Sequence, residues 1–420
     1  MIQEQIEATS EDILKTSTSE INSCPSYNLF ESINKLIDKN EVSILFKDKY
    51  KLMLPVLSAL KVLPSEFRKD WLKYDIKKYS DCKKSDHIPY ICDSIVYDEI
   101  IKPVENVEIT LDWLKKLPQP EQRTAAWYAY RNSVLTASSL SHVFENPSSA
   151  THQKYFKEKV TEESKSIYGN ALDYGIRNEE NAVLIYQKLT KSKVGEFGCI
   201  RHKNLEYIGA SPDGIIIECE DKIYLGRMVE IKCLYSRPLK GVPKWCYWIQ
   251  CQLQMEVCDL PYCDFFECVI DESHTKYSFY ERIRNNSMEN EFYGIVIHYV
   301  DEHNKSQNKY IYSDVGKTEE ELIDWYNSQM IQFESDNSDK WLQNIFYWTL
   351  KKYSLITIKR EKDWFNEVSP DICNFWGKIC EAKRSIKENP DLKNEIFKQV
   401  ERPNKKMKKV KLDVCLCDDD

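Results

Sequence analysis

An acidic turn, followed by a strand that ends in an acid and a lysine, most constrains this chain. Asp213 lies in a Pro-Asp-Gly turn, and turns of this composition commonly join two strands. Sixteen residues then separate Asp213 from Glu230, which stands two positions before Lys232. The apolar runs and the polar turn between them predict a β-hairpin, with Asp213 at the start of one strand and Glu230 on the other.

Strand periodicity decides where these charges point. Because side chains alternate along a strand, Glu230 and Lys232 share one face, and Val229 and Ile231 share the other. Two carboxylates and one lysine can therefore meet at a single point. Hard oxygen ligands of this kind suit Mg²⁺, which binds one or two carboxylates together with waters and substrate phosphate. An ordinary hairpin with surface charges is the alternative at this point.

The segments around the hairpin carry a family resemblance. Pro212-Asp213 and Glu230-Ile231-Lys232 resemble the signature of PD-(D/E)xK nucleases. The wider pattern resembles the YqaJ-like branch, which includes the phage lambda-type exonuclease and viral alkaline exonucleases, and above all those of large insect DNA viruses (baculovirus type). The matching segments, in order, are Trp127-x3-Arg131-x4-Thr136-Ala137-Ser138, Gly175-x3-Glu179, the hairpin, and Tyr247-x2-Gln250-x-Gln252-x2-Met255.

This resemblance implies an α/β (α+β) fold. The expected architecture is a restriction-endonuclease-like core, with a central mixed sheet flanked by helices. We expect a helical N-terminal extension at residues 1–105, the nuclease core with C-terminal elaborations at 106–385, and a basic, partly disordered tail at 386–420. The predicted later elements are strands at 292–300, 309–312 and 355–359 and helices at 318–333, 341–353 and 370–385.

The resemblance also implies a metal site. Asp213, Glu230 and the carbonyl of Ile231 would bind Mg²⁺, with Mn²⁺ as a substitute and one or two ions present. Glu179 would complete the site and Lys232 would orient or activate a water. Residues 168–189 read as a helix with Glu179 on its mainly apolar side and Glu180 and Asn181 pointing away. A salt bridge from Glu179 to Arg177 or Lys188 is the alternative.

Two further groups of residues are candidates for binding DNA. Arg131 lies one helical turn after Trp127, close to a helix start at Ser138, and an arginine beside a helix N-terminus suits an anion. On the residues alone, a surface arginine and a routine cap are the better explanation of the pattern. The resemblance implies that Arg131 and Ser138 hold the 5′ phosphate of the strand being digested.

A helix predicted at 244–257 supplies the second group. It presents Tyr247, Gln250 and Gln254 in one stripe, with Gln252 off to the side. Amide side chains of this kind can contact phosphate oxygens. The tryptophans at 245 and 248 could stack on bases, although tryptophans on such a helix more often belong to the core.

Charge and cysteine content exclude some classes. The formal net charge of −8 argues against a protein that coats nucleic acid by bulk charge. Residues 227–245 nevertheless carry five basic residues and one acid, which suits a polyanionic substrate or is simply a solvated loop. The fifteen cysteines, without a CxxC pair in the cluster from Cys246 to Cys268, favour reduced core thiols over zinc. We expect an intracellular protein without a membrane span or a secretion signal.

The end of the chain is rich in lysine. Five lysines in seven positions resemble a monopartite nuclear import signal, which implies the host nucleus; a basic tail that contacts DNA is the alternative. These residues are Lys405, Lys406, Lys408, Lys409 and Lys411.

The function implied is Mg²⁺-dependent digestion of one strand of duplex DNA from a free 5′ end. A metal-bound hydroxide forms more readily at high pH, so an alkaline optimum is expected. The resulting 3′ tails would pass to a single-strand binding or annealing protein, in recombination, replication or genome processing. Lambda-type relatives also imply a trimer. A structure-specific or restriction-like endonuclease and a non-catalytic DNA-binding scaffold are the alternatives.

Overall fold

The structure of this protein is a computed structural model. It describes residues 95–96, 101–120, 124–162, 169–239, 241–288, 292–301, 304–335, 340–391 and 393. The predicted N-terminal extension therefore lies almost entirely outside the described residues, and so does the lysine-rich segment at 405–411. Among the helices that are described, none is long and apolar enough to cross a membrane.

The described helices occupy both faces and the rim of a large sheet. They are α1 Val107–Lys116, α2 Ala125–Asn132, α3 Ala150–Thr161, α4 Asn170–Thr190, α5 Trp245–Cys258, α6 Lys276–Arg284, α7 Glu319–Ser335 and α8 Lys362–Glu388, with 3-10 helices at Ala137–Phe144 and Lys222–Tyr224. The strands are β1 Ile95–Val96, β2 Leu135–Thr136, β3 Ser192–Gly195, β4 Ile200–Arg201, β5 Ile208–Ala210, β6 Gly214–Cys219, β7 Met228–Cys233, β8 Tyr262–His274, β9 Tyr293–Asp301, β10 Asn304–Tyr312 and β11 Lys340–Lys359.

The central sheet is mixed, as predicted. Its strands follow the order β10-β9-β11-β8-β7-β6-β3, with β1 paired to β11, and a second sheet has the order β2-β5-β4. Strands β6 and β7 form the expected antiparallel hairpin. β8 then runs parallel to β7, which requires a crossover, and α5 supplies it. The α/β fold predicted from the sequence is confirmed.

Strand β7 divides its side chains between two packed layers. Val229 and Ile231 lie in an apolar cluster with Tyr186 of α4. Glu230 points the other way and contacts Gln254 of α5. The predicted alternation therefore holds, and it places the two helices on opposite faces of the sheet at the level of the acidic turn.

One predicted helix is wrong. Residues 341–353 belong to β11, which pairs with β9 over its first half and with β8 over its second. The run is rich in aromatic and branched residues, which a buried strand also favours. Its side chains do not alternate cleanly because the register shifts at two places along β8 and at one along β9.

The last helix starts earlier than predicted. α8 begins at Lys362, so Pro370 lies inside it and not at its start. A proline there has no N–H for the carbonyl four residues before it, which is that of Asn366. The hydroxyl of Ser369 donates to this carbonyl at 3.2 Å and supplies the missing partner.

Candidate functional site

The acidic turn is fixed against the strand that follows it. Oδ2 of Asp213 accepts a hydrogen bond from the backbone N–H of Ile231 at 2.7 Å. Gly214 permits this geometry, because a Cβ there would lie 2.1 Å from a methyl group of Val194 on β3. The turn therefore brings the Asp213 carboxylate beside the Ile231 peptide, as the hairpin pattern predicted.

Glu230 is fully buried at the centre of the site. Nζ of Lys232 lies 2.6 Å from its Oε1, and the amide of Gln254 donates to its Oε2 at 2.7 Å. A buried carboxylate is costly unless it is paired and hydrogen-bonded, and both partners are present here. Glu230 is thus held in one position, with a lysine that is itself 20% exposed.

Lys232 shares an aromatic platform with a second cation. Its Nζ lies 5.0 Å from the ring centre of Tyr247, and the guanidinium of Arg237 lies 5.4 Å from the same ring. Arg237 also contacts Oε1 of the buried Glu267 at 2.5 Å. Burial raises the pKa of the Glu267 carboxyl, and the charge of Arg237 acts in the opposite direction.

Glu179 approaches from the other face of the sheet. The pKa of the Cys233 thiol is raised by its contact with Cys268, by burial and by the negative charges of Glu179 and Asp213. The two carboxylates therefore lie within electrostatic range of one thiol, directly after Lys232. The expected outward orientation of Asn181 is wrong, since that side chain is fully buried.

Neighbouring residues on α4 fix the helix that carries Glu179. Arg177 makes a bidentate pair with Glu272 of β8, at 2.7 and 2.6 Å. The amide of Asn178 donates to Glu272 at 2.9 Å. Arg177 was the alternative partner considered for Glu179, and its guanidinium is instead used by Glu272.

The predicted anion group is assembled on α2 and the 3-10 helix. Nη2 of Arg131 donates to the hydroxyl of Ser138 at 3.2 Å, and its guanidinium stacks over the ring of Trp127 at 4.3 Å. The indole N–H of Trp127 lies 3.4 Å from Oγ of Ser211, two residues before Asp213. The structure thus connects the Arg131 group to the acidic turn through a single tryptophan.

The candidates on α5 separate into different surroundings. Tyr247 lies against Lys232, as described above, and Gln250 is buried. Gln252 is turned away: its amide donates to the Lys359 carbonyl at 2.9 Å and accepts from the Glu361 N–H at 2.8 Å. The structure therefore does not bring Gln252 to Asp213 and Glu230, which together are called the acidic cluster. Trp248 is a core residue, packed edge-on against Trp364.

The basic stretch at 227–245 does not form one surface. Arg227 is 1% exposed and pairs with the buried Asp264, and residue 240 lies outside the described residues. The cysteines in the following segment behave as predicted, since they are free and buried. They are Cys246, Cys251, Cys258, Cys263 and Cys268.

The donor set decides which cation the site could take. Among the described residues, no three His, Cys, Asp or Glu side chains form a ready-made metal-binding group. The oxygens available beside Lys232 are those of Asp213, Glu230 and the Ile231 carbonyl, all of them hard donors. This set fits Mg²⁺, which is usually held by one or two carboxylates and completed by waters and substrate phosphate.

A comparison with known families decides the assignment of this region. The sequence model of the YqaJ-like viral recombinase domain matches residues 126–261, from α2 to the end of α5. Residues 126–261 are therefore similar to a YqaJ-like viral recombinase domain. All the segments that suggested the resemblance, from Trp127 to Met255, lie within these matched residues. The narrower assignment to the insect-virus type stays a prediction.

Similar proteins extend beyond the YqaJ-like domain. An uncharacterized protein of Acanthamoeba polyphaga mimivirus is 26% identical over 327 residues, which is 70% of this chain and 58% of that protein. The chain thus spans little more than half the length of this relative. An alkaline exonuclease from Laribacter hongkongensis is similar at 19% identity and a TM-score of 0.38, covering 64% of this chain and 98% of that one. A SOX–DNA complex is similar at 10% identity and a TM-score of 0.26, covering 90% of this chain and 92% of that one.

Sequence reasoning missed two of the polar groups around the acidic cluster. Gln254 was placed in the right stripe of α5, but its contact with Glu230 was not foreseen. Glu267, which holds Arg237, was not considered at all. The signal for Glu267 was an acid inside an otherwise apolar strand, because buried carboxylates need a specific partner.

Proposed function

We propose that this protein is a Mg²⁺-dependent alkaline deoxyribonuclease that digests one strand of double-stranded DNA from a 5′ end. One observation carries the proposal. The fully buried Glu230 contacts Lys232 at 2.6 Å. The residue between them, Ile231, donates its backbone N–H to the carboxylate of Asp213. A carboxylate and lysine pair at the end of a hairpin, next to a second carboxylate, is the arrangement that the PD-(D/E)xK resemblance implies. The match to the YqaJ-like domain supports the same class of reaction.

The proposed metal ligands come from both faces of the sheet. Asp213, Glu230 and the Ile231 carbonyl would hold Mg²⁺, or Mn²⁺ in its place, and Glu179 would complete the site from α4 or serve a second ion. When bound, the cation supplies Lewis-acid polarisation of the phosphoryl oxygen and of water. Gln254 keeps Glu230 in place by donating to the oxygen that Lys232 does not contact.

Lys232 would act on the attacking water. Its head group is held between Glu230 and the ring of Tyr247, so the charged form can orient that water and the uncharged amine can receive its proton. Deprotonation of the water becomes easier as the pH rises, which is why an alkaline optimum is expected. The leaving 3′ oxygen departs from the phosphate that the same residues hold.

End recognition would fall to the Arg131 group. Its guanidinium uses Nη2 for the bond to Ser138, and a planar guanidinium can donate to two oxygens of one phosphate at once. Gln250 and Tyr247 would contact the strand nearer to the site; for Gln252 the contacts described above leave little of the amide available to DNA.

The wider biological setting is proposed on the resemblance. The remaining 3′ strand would pass to a single-strand binding or annealing protein during recombination, replication or genome processing. The five lysines between 405 and 411 would direct the protein to the host nucleus, and a trimer would enclose the DNA. The division into 1–105, 106–385 and 386–420 belongs to the same proposal.

The decisive experiment is digestion of 5′-labelled linear duplex with and without Mg²⁺. Asp213→Ala and Lys232→Ala should each abolish Mg²⁺-dependent digestion. The matched controls are Glu218→Ala and Lys222→Ala, which remove exposed charges from the same hairpin and should digest like the wild-type protein. Wild-type rates in either of the first two variants would refute the proposal.

A second experiment tests end recognition and separates the alternatives. Arg131→Ala should slow digestion of 5′-phosphorylated ends more than of 5′-hydroxyl ends, whereas the exposed Arg284→Ala serves as the control. An equal loss on both ends would exclude the phosphate role. Cleavage of circular DNA as fast as linear DNA would identify an endonuclease, and DNA binding without any cleavage would identify a scaffold.

A further inference from the structure

The first residues of the loop after β7, 234–237, are anchored at two points and present one aromatic ring to solvent. Leu234 is buried, and its N–H donates to the Cys268 carbonyl at 2.8 Å. Three residues later, Arg237 contacts the buried Glu267 at 2.5 Å. Between these anchors the side chain of Tyr235 is 54% exposed. A large ring that is held out of the core by a rigid loop is positioned for contact with a ligand.

A second tyrosine supports one side of this ring. The ring centres of Tyr235 and Tyr174 are 5.4 Å apart and tilted by 58°. Tyr174 cannot turn freely, because its hydroxyl donates to the Ile270 carbonyl at 2.7 Å and accepts from the Ile270 N–H at 3.0 Å. Tyr235 therefore leans on a fixed partner and leaves its remaining surface open.

The position of the loop places this open surface beside the acidic cluster. Tyr235 follows Lys232 by three residues, and Lys232 contacts Glu230. Its supporting residue, Tyr174, lies on α4 little more than one turn before Glu179. The exposed ring thus follows the Glu230–Lys232 pair along the chain and contacts the helix that carries Glu179.

We propose that Tyr235 stacks on the nucleobase of the 5′-terminal nucleotide, whose 3′ oxygen is linked to the phosphate held at the acidic cluster. The inference rests on the proposed function and adds a contact to the base, which none of the carboxylates or cations makes. Every base offers a π-face, so stacking holds a strand without reading its sequence. A tyrosine also costs little conformational entropy when it is fixed, because it has few rotatable bonds.

The test uses the full chain and a duplex with 2-aminopurine at the 5′-terminal nucleotide. Binding is measured in an Asp213→Asn background, so that the DNA stays intact, and digestion is measured with Asp213 present. Tyr235→Ala should weaken binding by about 5- to 150-fold, the range for loss of one base–aromatic stack, and should reduce the quenching of 2-aminopurine. Tyr235→Phe and Tyr235→Trp keep the ring and should retain both properties.

Two controls isolate the stack. Tyr277→Ala removes a tyrosine that is 71% exposed on α6 and should behave like the wild-type protein. On a duplex with an abasic 5′ end, Tyr235→Ala and the wild-type residue should bind equally, because no base is present to stack. A thermal melt of each variant shows that it is folded.

The outcomes separate the two levels of the argument. If Tyr235→Ala matches Tyr277→Ala in binding and fluorescence, or if its defect persists on the abasic end, the stacking role is refuted while the nuclease proposal stands. A loss in Tyr235→Phe as large as in Tyr235→Ala would assign the effect to the hydroxyl and would also refute stacking. If the wild-type chain neither binds nor digests DNA, the proposed function itself fails.

Discussion

Two fully buried carboxylates lie one residue apart in the register of neighbouring strands, and they have different surroundings. Asp264 of β8 pairs with Val229, and Glu230 of β7 with the residue after Asp264. Asp264 accepts from the hydroxyls of Tyr186 and Thr357, both at 2.6 Å, and pairs with Arg227 at 3.3 Å. These three partners are themselves buried.

Glu230 has fewer partners and one of them reaches solvent. It is held by Gln254 and by Lys232, whose side chain is 20% exposed. Burial alone therefore does not distinguish an acid proposed to bind a cation, such as Glu230, from one in a closed network, such as Asp264. The difference is whether its partners enclose it or connect it to the surface, and this difference can be tested residue by residue.

The largest expected effect is on Glu230. Glu230→Gln keeps the shape of the side chain and removes its charge, so the protein should stay folded while its Mg²⁺-dependent digestion of linear duplex falls by about 10³-fold or more. End-labelled digestion and a thermal melt of the same preparation measure both quantities. A loss of stability without a loss of specific activity would place Glu230 with the structural acids.

Asp264 should show the opposite behaviour. Asp264→Ala leaves the buried Arg227 without its counter-charge, and breaking one side of a buried pair costs about 3–5 kcal/mol of unfolding free energy. Denaturant unfolding should show this loss, while the folded fraction keeps its rate of DNA digestion. An unchanged unfolding free energy would mean that the hydrogen bonds and the ion pair of Asp264 do not stabilise the fold.

A smaller effect is expected at the amide that positions Glu230. Gln254→Leu removes a hydrogen bond to a charged group, which contributes about 1.5–3 kcal/mol, so kcat/KM should fall by about 10- to 150-fold with little change in DNA affinity. Gln252→Leu is the matched control on α5, because its amide contacts the backbone near α8. Equal kinetic losses in both variants would remove the special role of Gln254.

The smallest expected effect is on the pH dependence of stability, and it concerns Tyr186, which donates to Asp264. Burial, followed by the negative charge of Asp264, raises the pKa of Tyr186 well above its ordinary value of 10.0. The folded state therefore keeps this proton when the unfolded chain loses it, so the stability that Tyr186 contributes is present below pH 10 and is lost as the pH rises beyond it. Tyr186→Phe should cost about 1–2 kcal/mol at neutral pH.

The pH series supplies the check on this prediction. The difference in unfolding free energy between the wild-type chain and Tyr186→Phe should shrink above about pH 10. A difference that stays constant between pH 8 and pH 11 would mean that Tyr186 ionises as easily in the folded state as in the unfolded one.

Local patterns predicted the part of the site that lies on one hairpin. The alternation that separates Glu230 and Lys232 from Val229 and Ile231 follows from strand geometry alone, and the structure has it. The contacts of Gln254 with Glu230 and of Arg177 with Glu272 join residues 24 and 95 positions apart. No periodicity encodes such a distance, so these partners became visible only in the fold.

The wrong helix has the same origin. Residues 341–353 carry no Gly or Pro. They also show no clean alternation, because β11 changes partners along its length. Its strand character depends on β8 and β9, which are far away in sequence, and an isolated reading of the segment cannot detect them. The family resemblance did not depend on periodicity, because it used the order of several short segments at once, and the family match at residues 126–261 supports it.

The two-sided use of β7 makes this strand intolerant of a one-residue change in length. Deleting or inserting a single residue before Glu230 would exchange the two faces, moving hydrocarbon to the side that faces Gln254 and charge into the apolar layer beneath α4. Such a change would disrupt the Glu230–Gln254 contact and the apolar packing against α4 at the same time. We expect related proteins to differ in this strand by substitutions, or by insertions and deletions of two residues, which keep each side chain on its face.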